Sequence, residues 1–158
     1  MRIVLDTNIL VRANPRVVRQ ALARDLLLTI VADGDHTLIL SPAILAEARR
    51  VLQYPNVQKR WPLSEEEISR YLSALTAAAH VVELPGTAPA IVSDPDDDPI
   101  LQTAVAGLAQ VLCTRDEAFN DMAVHAFSGN HGIRVMNDID LIHELRRLSE
   151  ARGGASES

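Results

Sequence analysis

Lysine is almost missing from this chain: Lys59 is the only one, and the other basic residues are arginines. Acids outnumber bases 21 to 15, for a formal net charge of −6. That sign argues against a protein that coats duplex nucleic acid by bulk attraction, although a local basic patch with a bound cation can still hold phosphate. Cysteine is reduced to Cys113, which excludes a disulfide framework and suits a reducing compartment, so a cytoplasmic location is expected. Aromatics amount to only 3%, leaving Leu, Val, Ile and Ala to fill the core. No apolar run approaches the roughly 18 residues of a membrane span. The first residues also lack the charged and cleavage regions of a signal peptide, so no membrane partner is expected.

What is present suffices for one folded unit. With 158 residues, 47% of them apolar, the chain can bury a sizeable core. One domain is expected over residues 1–150, with a disordered tail over 151–158 that contains Gly153 and Gly154.

The elements alternate. Residues 2–6 form a short apolar strand running into Asp6, and 15–32 show a wide helical face built from Val17, Val18, Ala21, Leu22, Leu26 and Leu27. A second strand at 37–40 is followed by Ser41 and Pro42, an N-cap and first-turn proline that open a helix reaching about Tyr54. Ser64 with Glu67 makes a capping box for another helix ending near Ala79. Further strands are expected at 80–84, 111–114 and 133–136, and helices at 100–109, 116–123 and from Asn137 onward. The stretch 85–99 is rich in Pro and Asp and reads as a loop, or a loop leading into a helix. Strands separated by helices require a mainly parallel sheet covered on both faces, an α/β/α sandwich. Residues 53–79 look like an appended pair of helices.

Four acidic positions stand where strands hand over to helices, or in the helix that follows: Asp6, Glu47, the cluster Asp94, Asp96, Asp97 and Asp98, and Asp116. Open α/β sheets keep their ligand sites at that carboxyl edge. Asp6 would otherwise be a strand-end turn former with Thr7 and Asn8, and the loop aspartates would be turn and first-turn residues. Glu47 alone would be a solvated helix acid, yet Ile44, Leu45, Ala48, Val51 and Leu52 mark the buried side beside it. Two carboxylates about 4 Å apart repel by about 4 kcal/mol at an effective dielectric near 20, so a convergent set calls for a divalent cation. Carboxylate-only donors select a hard ion, Mg²⁺ or Mn²⁺.

The order Asp6-Thr7-Asn8, Glu47 in a Ser41-Pro42-opened helix, an Asp-rich loop running to Ala104, and Thr114-Arg115-Asp116 resembles the PIN domain. Within that superfamily it is similar to the VapC-like toxin components of prokaryotic toxin–antitoxin systems. The likeness spans nearly the whole chain. It implies a three-layer α/β/α sandwich around a parallel sheet and a metal-dependent endoribonuclease that hydrolyses phosphodiester bonds of single-stranded or structured RNA. It also implies a homodimer held in check by a cognate antitoxin on a separate chain. By position, Asp6, Glu47 and Asp116 match the first, second and fourth acids. Asp97 is the third, because the family's small residue seven places on falls at Ala104. Asp98 stays open as the alternative, since its spacing to Asp116 is the usual one. Asn8 and Thr114 match supporting polar positions, and Arg115 matches a variable one.

Phosphate-tracking candidates are Arg12, Arg16 and Arg19 on the first helical stretch, with Arg49, Arg50, Lys59 and Arg60 near the appended helices. More often such residues are simply a solvated face. Two other function classes remain: a Mg²⁺-dependent phosphotransfer or phosphatase protein, which wants a lysine near a strand end, and a non-catalytic binding module.

Overall fold

A computed structural model describes residues 1–16, 21–84 and 98–156. Five strands form one sheet in the order β3-β2-β1-β4-β5: β1 Arg2–Leu5, β2 Thr37–Leu40, β3 His80–Val81, β4 Val111–Cys113 and β5 Arg134–Met136. Every pairing is parallel, with Leu5 opposite Cys113 and Val4 opposite Ile39. Parallel strands covered on both faces read as continuous apolar runs, as β1 does. Ile3, Val4 and Leu5 are wholly buried, each contributing about 1.5–3 kcal/mol relative to exposure. This is the expected PIN-like sandwich of helices around a parallel sheet.

The helices are α1 Thr7–Arg12, α2 Ala21–Ala32, α3 Pro42–Leu52, α4 Pro55–Arg60, α5 Glu65–Ala78, α6 Asp98–Ala106, α7 Met122–Asn130 and α8 Asp138–Ser156. Three sequence-level caps are present as expected. The Ser41 side chain accepts from the Ile44 N–H ahead of Pro42, Ser64 and Glu67 close a capping box, and Asn137 Oδ1 accepts from the Asp140 N–H at 2.8 Å. Of the helical pair after α3, α5 is the packed member: it buries Ile68, Leu72 and Leu75, and its Tyr71 hydroxyl donates to the Leu10 carbonyl at 2.6 Å.

Several boundaries differ from expectation, and the strand expected at 80–84 is confined to His80–Val81. A separate helix, α1, starts directly after Asp6, ahead of α2. The helix from Ser41 stops at Leu52, and Pro55 begins α4 instead of only ending its predecessor. The single helix expected at 116–123 is a 3-10 turn, Glu117–Asn120, followed by α7. Asp121 causes the restart, its carboxylate accepting from the Ala123 N–H at 2.8 Å. Finally, the tail expected to be disordered from residue 151 is helical to Ser156. Arg152 holds it: its guanidinium pairs with Asp33 and Asp35, at the turn before β2, and draws the Asp33 carboxyl well below the ordinary carboxylate range. The loop predicted over 85–99 falls outside the described residues up to Asp97; Asp98 and Pro99 already belong to α6.

Candidate active site

Parallel pairing brings two of the predicted acids to one place. Because Leu5 lies opposite Cys113, the next residues, Asp6 and Thr114, leave the sheet side by side at its carboxyl edge. The Asp6 N–H donates to the Cys113 carbonyl at 2.9 Å, and the Thr114 N–H to the Met136 carbonyl at 3.0 Å. The Thr114 hydroxyl then donates to Asp6 Oδ2 at 2.6 Å and accepts from the Asp116 N–H at 3.0 Å. One hydroxyl therefore fixes both carboxylate-bearing segments. Asp116 commits Oδ1 to the Ala118 N–H at 2.9 Å, capping the 3-10 turn.

Asp6 is 3% exposed. Burial pushes its carboxyl above the ordinary value, the Thr114 hydrogen bond and the Thr7 N–H oppose this, and the Asp116 charge raises it again. Asp6 occupies the N-cap position of α1 without a side-chain capping bond. The Thr7 and Asn8 N–H groups at the start of α1 nonetheless favour its charged form. The Asn8 side chain is exposed in the first turn of α1.

Glu47 approaches from α3. It is partly buried and lines a cavity of about 270 Å³ with Thr7, Ala43, Ile44, Pro99 and Ile100. This crevice joins the residue after Asp6 to the start of α6. Glu47 pairs with Arg50 one turn along α3, so its charge is already partly balanced. Ser41, buried at the start of α3, shares a 2.8 Å hydroxyl–hydroxyl hydrogen bond with Thr103 of α6, and Thr103 donates to the Pro99 carbonyl at 2.6 Å. That link ties the helix carrying Glu47 to the helix that follows the Asp-rich segment. Asp97 lies outside the described residues, and Asp98 is placed only as the first residue of α6.

Among the described residues, no group of three His, Cys, Asp or Glu side chains is close enough to hold a metal. What these residues do show fits a hard cation. Asp6 is desolvated beside a second carboxylate, and the nearby guanidiniums are turned elsewhere, Arg50 to Glu47 and Arg115 to Asp138. Thr7 Oγ1 is buried in the same crevice with no hydrogen-bond partner among the described residues. Oxygen-only donors of this kind suit Mg²⁺ or Mn²⁺.

Three of the basic candidates are engaged. Arg16 pairs with Glu67, Arg49 with Glu65 and Ser69, and Arg50 with Glu47. Arg19 lies outside the described residues. Sequence reasoning passed over Ser41 and Thr103 as site-building groups and Asp138 as a partner of Arg115. A Ser ahead of a first-turn Pro is visible as a cap, but its buried hydroxyl partner 62 positions away is not.

The PIN-domain family profile matches residues 2–118, more than half of the chain and a span that includes Asp6, Glu47 and Asp116. PIN domains are typically metal-dependent nucleases. A search of curated proteins finds no match. Sheet order, site position and this match agree, and the chain belongs to the PIN-domain family.

Proposed function

We propose that the chain is a Mg²⁺- or Mn²⁺-dependent endoribonuclease and the toxin of a toxin–antitoxin pair, acting on single-stranded or structured RNA. The observation that carries the nuclease reading is the Asp6–Thr114–Asp116 arrangement at the carboxyl edge of a parallel PIN sheet. Asp6 and Asp97 are assigned to the principal cation, with Asp98 as the alternative to Asp97. Asp116 and Glu47 complete the set directly or through water. When bound, the cation supplies Lewis acidity that activates water and offsets charge on the leaving 3′-oxygen. Thr114 keeps Asp6 oriented by its hydroxyl, with Asn8 at the exposed rim. Glu47, paired with Arg50, or Asp116 is assigned to take the proton from water. The products are 5′-phosphate and 3′-hydroxyl ends.

The toxin role, a cognate antitoxin on another chain, a homodimer and a cytoplasmic location belong to this proposal and rest on the order of motifs along the chain. No described helix is long and apolar enough to cross a membrane. The phosphotransfer reading finds no support: Lys59 lies in the last turn of α4, not at a strand end. A binding module without catalysis would not need a desolvated acid beside a second one. Incubating the purified chain with a mixed RNA pool and Mn²⁺ tests the proposal. Cleavage abolished by Asp6→Asn supports it, and an intact pool rejects it. Growth arrest on expression, relieved by the product of an adjacent small gene, tests the toxin role.

A further inference from the structure

A second cavity, of about 490 Å³, opens beside Asp116 between the end of β4 and the start of α8. Its volume falls within the roughly 300–1,000 Å³ of small-molecule sites. The feature that organises it is Arg115. Its Nε donates to Asp138 Oδ1 at 2.8 Å, and Asp138 is buried while Arg115 is half-exposed. Asp138 Oδ1 is further fixed by the Ile139 N–H at 3.1 Å. The guanidinium plane is therefore held by one edge. No hydrogen bond among the described residues takes its two Nη groups.

The rest of the lining selects a class of ligand. Glu117 and Asp140 contribute carboxylates, which only accept hydrogen bonds. Asn137 has its Oδ1 committed to the Asp140 N–H, which leaves its Nδ2 as a donor. Partly buried Val135 and Met136 form an apolar surface. Several acids facing one arginine make a poor seat for a bare phosphate. They make a good seat for a neutral base that offers donors and acceptors together. Uracil presents one N–H between two carbonyls, and adenine and cytosine each present a single amino group on the pairing edge. Guanine alone combines adjacent N1–H and N2–H donors, matched to a carboxylate, with O6 and N7 acceptors, matched to an arginine fork.

We infer that this cavity is a guanine-reading pocket, which seats the base of a nucleotide flanking the cut through Arg115, Asn137 and the Glu117 or Asp140 carboxylate. The inference rests on the nuclease reading for the position of the cut, not for base binding itself. Asp138 is a positioning residue, acting through Arg115.

The test is binding of short oligouridylates carrying a central G, A or C to the Asp6→Asn chain, which separates recognition from cleavage. Fluorescence anisotropy is expected to show the G-containing oligomer bound about tenfold tighter or more. Arg115→Ala in that background removes the preference and leaves the other affinities near their starting values. Arg115→Lys, which keeps a cation for buried Asp138 but lacks the fork, is expected to remove it as well. Equal binding of all the oligomers, or a preference that survives Arg115→Lys, overturns the inference. If the unmodified chain cleaves RNA with Mn²⁺ while the oligomers bind equally, the pocket fails and the nuclease reading stands. If a guanine preference appears without any cleavage, base recognition stands and the nuclease reading fails.

Discussion

The Thr114 hydroxyl donates to Asp6 Oδ2 at 2.6 Å across the β4–β1 pairing, over 108 positions of sequence. This bond couples the register of the sheet to the orientation of the most deeply buried of the described site acids. A one-residue slip of β4 would turn Thr114 to the opposite face of the sheet and break it.

Thr114→Val keeps shape but removes the donor to Asp6 and the acceptor for the Asp116 N–H. A buried hydrogen bond to a charged group contributes about 1.5–3 kcal/mol, so urea denaturation is expected to show a loss of that order at neutral pH. Thr114→Ser, which retains the hydroxyl, is expected to lose less.

Asp6 gives a pH signature. Its folded-state carboxyl lies above the ordinary value, chiefly because it is buried. Over the interval between the unfolded and folded values the native chain holds more protons than the unfolded one. Stability of the metal-free protein therefore falls as pH rises through that interval and stays reduced above it. Asp6→Asn removes the charge, so its melting temperature is expected to exceed that of the unmodified chain at neutral pH. The advantage should vanish near the bottom of the interval. Thermal melts in EDTA across pH decide this, and a constant difference at every pH would reject it.

The Ser41–Thr103 contact predicts a coupling between α3 and α6. Thr103→Val leaves the wholly buried Ser41 hydroxyl without its 2.8 Å partner and is expected to cost about 1–3 kcal/mol. Because Thr103 also holds the Pro99 carbonyl, amide exchange there, at Thr103 and the residue after it, should quicken. Loss of stability with unchanged exchange there would show the two helices to be independently held.

Gly107 follows α6 where the backbone passes β2. A Cβ there would lie 2.3 Å from Ile39 Cγ2 and 3.1 Å from the Thr103 carbonyl oxygen. Both neighbours are packed, so Gly107→Ala is expected to destabilise by about 1–3 kcal/mol in chemical denaturation. Leu108, next along, has φ of 52° and is 77% exposed. Leu108→Gly relieves a left-handed strain and is expected to be neutral or stabilising.

Local signals carried well from sequence to structure. The capping box at Ser64, the Ser41-Pro42 start and the Asn137 cap each depend on residues within four positions, and each is present. The apolar runs of β1, β2 and β4 sufficed to place the sheet centre, because parallel strands are buried on both faces. Missed features depended on distant partners. The α8 extension through two glycines depends on Arg152 reaching Asp33, 119 positions away. The engagement of Arg16 and Arg49 by α5 acids likewise needed the three-dimensional arrangement. Within the site, the strand ends announced Asp6 and Asp116, whereas the Thr7 and Pro99 walls around Glu47 appear only once α1, α3 and α6 are assembled.

The proposed nuclease chemistry requires that the acids at the carboxyl edge form a cation site. Isothermal titration of Mn²⁺ into the purified chain, alongside Asp6→Asn, tests it most directly. A saturable site in the unmodified chain that weakens at least about tenfold in Asp6→Asn is expected. Equal Mn²⁺ binding by both chains, or none by either, contradicts it.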